Sequence, residues 1–496
     1  MPLTDEKILR LARANLARLA AASEDAGVRH QFAAIDSALH ELSLRADTDT
    51  EREWYRRGHA LAKEGVTMLP PGSENRVGFS ALLADVPPDT GSNAYQRELA
   101  ALMACLRQIV HALVGAPDAA SSNYLERVVA WEFELNTRRG GRADAINAAA
   151  VATGITQAGL EDYLRKRFPQ RANLRVSQFE VLAGGYSKRT IFFTIEDDGG
   201  QEELVIRANQ PSKNIKIAGA DVRHEYPILQ MAWKSGQMLP EPLWLEADDT
   251  LFGVCFLVCR KAAGRTIGSG HTNQTFQTIT PAIKSELVRQ MLKIHATPIE
   301  AGKDLTALAH WLPHRDLRST AVASVDFWMQ EVRDHDAVVT PTMQRLHDWL
   351  LANVPAPAAY QPVFIHGDFG LHNILFEGEK ISSILDWEIA KIGDPAEEFI
   401  PLFMSLATDY DEDLVREYVA GGGQPVSRFR VTWYVLLIVF RVLQFDLSAQ
   451  RSFELNENPD MNLFNWLTGT SPVILGNINA LIAKAERERA EEASAA

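Results

Sequence analysis

The chain has 496 residues, 46% of them apolar, which is enough material for two or three compact domains. Its net charge of -14 argues against a general affinity for nucleic acids or anionic membranes, and its three cysteines exclude a disulfide framework. The first residues lack the charged-then-apolar pattern of a signal peptide, and the longest membrane-like stretch, Trp433–Phe440, has only eight residues. We therefore predict a cytoplasmic protein.

Residues 1–145 are predicted to form an all-α domain, because apolar residues recur there at steps of three and four. Two such series are Ile8, Leu11, Ala12, Leu16 and Leu19, and Leu99, Leu102, Met103, Leu106, Ile109, Val110 and Leu113. No set of reactive residues accompanies them. We interpret these faces as the domain's own core or as a docking surface for a protein partner or a second subunit. Residues 140–150 are typical of a linker.

The next segment has the pattern of a hairpin closed by glycines. Residues 178–183 and 191–195 predict two strands on either side of Gly184, Gly185 and Ser187. Glycines let backbone N–H groups approach phosphate oxygens, and a serine adds a hydroxyl donor. The turn alone is a weak signal, because most such glycine pairs only close a hairpin.

A third strand and a helix follow this turn. Residues 204–208 predict the strand, which carries Arg207, and an apolar helical pattern begins at Glu225. Arginine offers a planar fork of donors to phosphate. We predict that Arg207 binds phosphate and pairs with Glu225. The alternative is that Glu225 lies on a solvated helix face.

The most informative stretch lies in the C-terminal half. His366–Asn373 has the form H-G-D-x-x-x-x-N, and thirteen residues after Asn373 comes Asp386, the first residue of D-W-E. Short apolar runs predict strands at residues 362–366, 373–376 and 381–385. The polar groups at the ends of these strands should therefore face one cleft.

These groups match the requirements of a Mg²⁺-dependent phosphoryl transfer. That reaction needs a carboxylate to take the proton of the acceptor hydroxyl, together with an amide oxygen and a second carboxylate for the metal. Asp368 fits the role of the base, and Asn373 and Asp386 fit those of the metal ligands. A zinc or iron site made of His366, Asp368 and His372 is an alternative, but it leaves Asn373 and Asp386 unexplained. For His366 itself we predict local hydrogen bonds rather than a chemical role.

With both motifs present in order, residues 154–485 resemble the aminoglycoside phosphotransferase and choline kinase family, small-molecule relatives of the protein kinases. The glycine turn, Arg207 with Pro211 nearby, and Arg223–Tyr226 resemble in particular the branch of phosphotransferases associated with acyl-CoA dehydrogenases. In that branch arginine is usual where other kinases carry their phosphate-binding lysine.

The resemblance implies a protein-kinase-like, two-lobed α+β fold behind the N-terminal all-α domain. The small lobe would span about residues 170–260 and the large lobe about residues 265–485. The apolar strand at residues 251–260 resembles the hinge between the lobes, which implies adenine contacts near Val258 and Arg260. ATP and Mg²⁺ are the implied cofactors.

We therefore expect an ATP- and Mg²⁺-dependent phosphotransferase that acts on a hydroxyl of a small molecule. The branch resemblance favours a hydroxyacyl-type metabolite such as a coenzyme A thioester, and an aminoglycoside or an amino alcohol such as choline is the alternative. A nucleotide-binding pseudokinase that acts as an interaction module is a further alternative. Acidic residues that could favour a cationic acceptor, or could simply cap helices, are Glu397, Glu398, Asp409, Asp411, Glu412 and Asp413.

Overall fold

A computed structural model describes residues 48–70, 93–114, 118–138, 154–182, 188–209, 221–268, 278–334, 337–355, 360–454 and 476–495. The predictions for Gly184, Gly185 and Ser187, for the helices before residue 48 and for the linker at residues 140–150 lie outside these residues.

Within this part of the chain there are twelve α-helices and ten strands. The helices are α1 (Thr48–Met68), α2 (Asn93–Leu113), α3 (Ala119–Arg138), α4 (Gln157–Arg167), α5 (Val222–Lys234), α6 (Pro281–His295), α7 (Leu317–Asp334), α8 (Pro341–Ala352), α9 (Pro395–Ser405), α10 (Glu412–Ala420), α11 (Arg428–Glu454) and α12 (Ile478–Ala495). The strands are β1 (Arg175–Leu182), β2 (Lys188–Asp197), β3 (Gly200–Asn209), β4 (Pro242–Glu246), β5 (Phe256–Arg260), β6 (Arg265–Thr266), β7 (Val363–Ile365), β8 (Ile374–Glu377), β9 (Lys380–Ile384) and β10 (Lys391–Gly393).

The chain forms two compact units. The α+β unit comprises residues 149–323 and 355–434, and the helical unit comprises residues 1–148, 324–354 and 435–496. Residues 324–354 and 435–485, which the sequence pattern had assigned to the large lobe, belong instead to the helical unit.

The physical reason is that α8 packs against α2 and α3. The N–H of Thr342 donates to the buried carboxylate of Glu132 at 2.8 Å, and Nδ1 of His111 lies 2.7 Å from Oδ2 of Asp348. Both contacts join residues more than 200 positions apart, so no local pattern in the sequence indicates them.

The helical unit has a core of its own. The seven predicted apolar positions from Leu99 to Leu113 are all buried, none more than 5% exposed. Beside them the rings of Trp54 and Trp131 stack with centroids 4.6 Å apart, and each indole N–H donates to the other residue's carbonyl at 2.7 Å. Gly58 is required at this place because a Cβ there would lie 2.1 Å from the ring of Trp131. The interpretation of this apolar face as a core is confirmed.

An antiparallel five-stranded sheet forms the first part of the α+β unit, with strand order β1-β2-β3-β5-β4. Alternate residues of β2 and β3, among them Ile191 and Ile206, point into a core that α4 also covers. Arg207 follows Ile206 and therefore lies on the opposite face, paired in register with Thr190 of β2. Lys188 is the first residue of β2, directly after the glycine turn.

The second part of the α+β unit carries the polar residues of the two sequence motifs next to short strands that lie between helices. β6, β8 and β9 form one small sheet, and β7 pairs with β10. The predicted strands around the polar motifs are confirmed as β7, β8 and β9. His366 follows β7, and Asp386 comes two residues after the end of β9. The two-lobed α+β fold predicted from the sequence is thus confirmed.

The long helix α11 contains a stretch, Arg428–Arg451, that is long and apolar enough to cross a membrane, with a mean hydropathy of 1.5. Its most apolar window is 72% buried inside the protein. Burial of this extent is typical of a core helix of a globular protein.

Candidate active site

His366 holds the loop that carries Asp368. Its Nδ1 accepts a hydrogen bond from the N–H of Asp368 at 3.2 Å, and its Nε2 therefore carries the proton and donates to the carbonyl of Leu385 at 2.8 Å. The predicted local role of His366 is confirmed. Because both ring nitrogens are engaged, the zinc or iron alternative does not fit. The described residues contain no group of three or more His, Cys, Asp or Glu side chains that could hold a metal.

Glu398, on α9, binds the backbone of the same loop. Its fully buried carboxylate accepts from the N–H of His366 at 2.6 Å and from the N–H of Gly367 at 3.1 Å. Gly367 has φ of +85°, and a Cβ there would lie 2.8 Å from the carbonyl of Ile389. This position therefore requires glycine. The loop before Asp368 is thus held through its backbone, and no local pattern in the sequence indicates this role of Glu398.

Asp368 is held by two side chains of its own loop. Nδ2 of Asn373 donates to Oδ2 of Asp368 at 2.9 Å and to its carbonyl at 3.1 Å. The amide oxygen of Asn373 therefore points the other way, because the amide group is planar. Nε2 of His372 lies 3.3 Å from the same carboxylate oxygen. Burial alone would lower the pKa of His372, but the hydrogen bond to Asp368 and the charges of Asp368 and Asp386 together outweigh it and raise that pKa.

Asp386 has a strained backbone, with φ of +64°. A non-glycine residue in this left-handed region is uncommon, and such strain is concentrated at functional sites. Nη2 of Arg207 donates to Oδ1 of Asp386 at 2.8 Å. Burial opposes ionisation of Asp386, but the charges of Arg207 and Lys188 outweigh it and hold the pKa of this carboxyl below its usual range.

The predicted pair of Arg207 with Glu225 is wrong, because each residue has a different partner. Glu225 is buried, which also excludes the solvated alternative, and its Oε2 lies 2.8 Å from Nζ of Lys188. Nζ of Lys188 also donates to Glu388 at 2.5 Å. Arg207 is instead bound to Asp386. Lys188 and Glu388 were overlooked, although the first follows the glycine turn and the second closes the D-W-E motif.

The side chains of Val258 and Arg260, near which adenine contacts are predicted, make contacts within the protein. Val258 belongs to the core of the five-stranded sheet, and Arg260 pairs with Glu241 and Glu202 at 2.6 and 2.5 Å. The backbone N–H of Arg260 donates to the carbonyl of Glu241. That adenine contacts lie near these residues stays a prediction.

The electrostatics of the site fit a divalent metal with oxygen ligands. The cationic side chains of Lys188 and Arg207 lie among the carboxylates of Glu225, Asp368, Asp386 and Glu388. Carboxylates outnumber the two cations in the site, and burial together with the charge of Asp386 raises the pKa of one of them, Glu388. Carboxylate and amide oxygens are the ligands that Mg²⁺ prefers, and Mg²⁺ typically takes only one or two carboxylates from the protein. Asp386 and Asn373 offer such a set.

Comparisons with known proteins identify the family of this chain. The model of the family described as "Phosphotransferase enzyme family" matches residues 178–433. Acyl-CoA dehydrogenase family member 10 of Mus musculus is 25% identical over 49% of this chain, and the chain spans only 21% of that protein's length. Hygromycin-B 4-O-kinase of Escherichia coli is 22% identical over 50% of this chain and 67% of its own length.

Among solved structures, a ternary complex of an aminoglycoside phosphotransferase APH(4)-Ia mutant with ADP and hygromycin B matches with a TM-score of 0.42 and 18% identity. The match covers 66% of this chain and 98% of that one.

Proposed function

The chain belongs to the phosphotransferase enzyme family, and from that premise we propose that it transfers the γ-phosphoryl group of ATP, with Mg²⁺, to a hydroxyl group of a small molecule. The observation that carries this proposal is the grouping of Asp368, Asn373 and Asp386. These three side chains lie close to one another. The carboxylate of Asp368 is held by its loop, the amide oxygen of Asn373 points away from that carboxylate, and Asp386 has a strained backbone. These are the groups that phosphoryl transfer requires.

In the proposed reaction the acceptor hydroxyl oxygen bonds to the γ-phosphorus, and the bond from that phosphorus to the bridging oxygen breaks, releasing ADP. Asp368 takes the hydroxyl proton as general base. Asn373 and His372 keep its carboxylate oriented for this step, since both contact Oδ2. Mg²⁺, held by Asn373 and Asp386, would neutralise phosphate charge. Arg207 would contribute positive charge beside Asp386.

For the acceptor we propose a hydroxyacyl-type metabolite, such as a hydroxyacyl coenzyme A thioester. Support comes from the Mus musculus relative, which is named for the acyl-CoA dehydrogenase family. An aminoglycoside is the second candidate, because the Escherichia coli relative is named as a hygromycin-B kinase.

Three acidic residues of the large lobe already have partners inside the protein. Glu397 pairs with Lys391 at 3.0 Å, and Glu398 is committed to the loop backbone. Asp411 accepts from the first turn of α10 and pairs with Lys284. Carboxylates that already have partners inside the protein add little attraction for an external cation, so these three do not favour a cationic acceptor.

A panel assay tests this proposal. The protein is incubated with ATP and Mg²⁺ and, in separate reactions, with hydroxyacyl coenzyme A thioesters, free hydroxy acids, aminoglycosides and choline. Mass spectrometry then follows the acceptor, and ADP release is measured in parallel. We expect a phosphorylated hydroxyacyl product in equal amount to ADP. Phosphorylation confined to an aminoglycoside or to choline would contradict the acceptor class. Nucleotide binding with no transfer to any acceptor class would favour the pseudokinase alternative.

A further inference from the structure

Lys188 occupies the charged centre of the site, the place that the sequence pattern had suggested for Arg207. It is the first residue of β2, and its side chain is 1% exposed. Its ammonium lies 2.8 Å from Glu225 on α5 and 2.5 Å from Glu388, two residues after Asp386. One cation thus connects the sheet, the helix and the D-W-E segment.

A buried ammonium must be paired to remain charged, because burial without partners costs several kcal/mol. Lys188 has two carboxylate partners. Burial by itself would lower the pKa of Lys188, but the charges of Glu225 and Glu388 outweigh it and raise that pKa. The side chain therefore stays a cation inside the protein.

The two cations of the site have different partners at ion-pair distance, while the charge of Glu225 also acts on Arg207. Arg207 is bound to Asp386, one of the two proposed metal ligands, and the helix glutamate Glu225 is left to Lys188. An ammonium carries three donors on a compact head, so it can contact two carboxylates and still direct a donor at a third oxygen. Lys188 also follows directly in sequence the glycine turn for which phosphate contacts are predicted.

We propose that Lys188 binds the phosphates of the nucleotide, and that Glu225 and Glu388 are the positioning residues that hold it. The assignment rests on the proposed function, because it presupposes a nucleotide in this site. It makes Lys188 of β2, rather than Arg207 of β3, the cation that the helix glutamate orients.

Isothermal titration with Mg·ADP, Mg·AMP-PNP and adenosine tests the assignment on the full chain. Lys188→Met should weaken ADP and AMP-PNP binding by about 10- to 10²-fold, the loss expected when one hydrogen bond to a charged group is removed. Adenosine binding should stay unchanged, because adenosine has no phosphate. The matched control is Lys234→Met, which removes an exposed lysine from the last turn of α5 and should bind all three ligands as the wild type does.

Lys188→Met removes the ammonium that contacts Glu225 and Glu388, which can also reduce stability, so a second variant separates binding from folding. Lys188→Met/Glu225→Gln removes one cation and one anion together and should regain the thermal stability that the single variant loses. Under the proposal its ADP affinity stays as low as in Lys188→Met. Recovery of wild-type ADP affinity in this double variant would overturn the assignment, since Lys188 would then be structural only. Absence of ADP binding in the wild type would instead overturn the proposed function, and this inference with it.

Discussion

Replacing Glu398 removes the acceptor of two backbone N–H groups in the loop that carries Asp368. The carboxylate is fully buried, and its two oxygens accept from His366 at 2.6 Å and from Gly367 at 3.1 Å. A hydrogen bond to a charged group contributes about 1.5–3 kcal/mol, so Glu398→Ala should destabilise the loop by about 3–6 kcal/mol. Glu398→Gln keeps one oxygen acceptor and should cost about half of that, roughly 2–3 kcal/mol.

Hydrogen exchange with mass spectrometry measures this local cost directly. A loss of 2–3 kcal/mol corresponds to roughly 10²-fold faster exchange of the His366 and Gly367 amides in Glu398→Gln, because about 1.4 kcal/mol is a factor of ten. The value of kcat should fall as well, by up to about 10²-fold, since a small displacement of a catalytic group is costly. Met404→Ala, an exposed position on the same helix, is the control and should leave both quantities unchanged. Wild-type exchange and wild-type kcat in Glu398→Gln would refute the reasoning.

Two further predictions concern the charged pair at the metal site. Asp386→Ala should abolish Mg²⁺-dependent nucleotide binding, because it removes a charged ligand from a cation that takes few protein ligands; ATP titrations with and without Mg²⁺ check this, and binding that stays metal-dependent would contradict it. Arg207→Ala should raise the KM for ATP and lower kcat together, by about 10²-fold in kcat/KM, because Asp386 loses a partner at 2.8 Å. Arg207→Lys should recover only part of the activity, since lysine lacks the planar fork, and wild-type kinetics in both Arg207 variants would count against the assigned contact.

Local pattern was sufficient to predict the strands and loop around Asp368. The apolar runs are short and bounded by glycine and polar residues, so β7, β8 and β9 lie within a residue or two of the predicted ranges. The strand predicted at residues 251–260 begins only at Phe256. Gly253 has φ of +74°, which places the preceding apolar residues in a turn rather than in the ladder.

The partners of the charged residues could not be predicted in the same way. Lys188, Arg207 and Glu225 come from three elements, and which cation meets which carboxylate is decided by their positions after the sheet has formed. The spacing of these residues in the sequence does not indicate which cation pairs with which carboxylate. The same applies to α8, which packs in the helical unit through contacts with residues that lie more than 200 positions earlier in the chain.

The central claim is that Asp368 acts as the general base of a phosphoryl transfer from ATP. Its most direct test compares Asp368→Asn with the wild type, measuring phosphoryl transfer to the acceptor found in the panel assay and ATP affinity in the same preparations. The account predicts nearly unchanged folding and ATP binding together with a fall in kcat of about 10²–10⁴, the usual contribution of a positioned general base. Undiminished transfer in Asp368→Asn would contradict it.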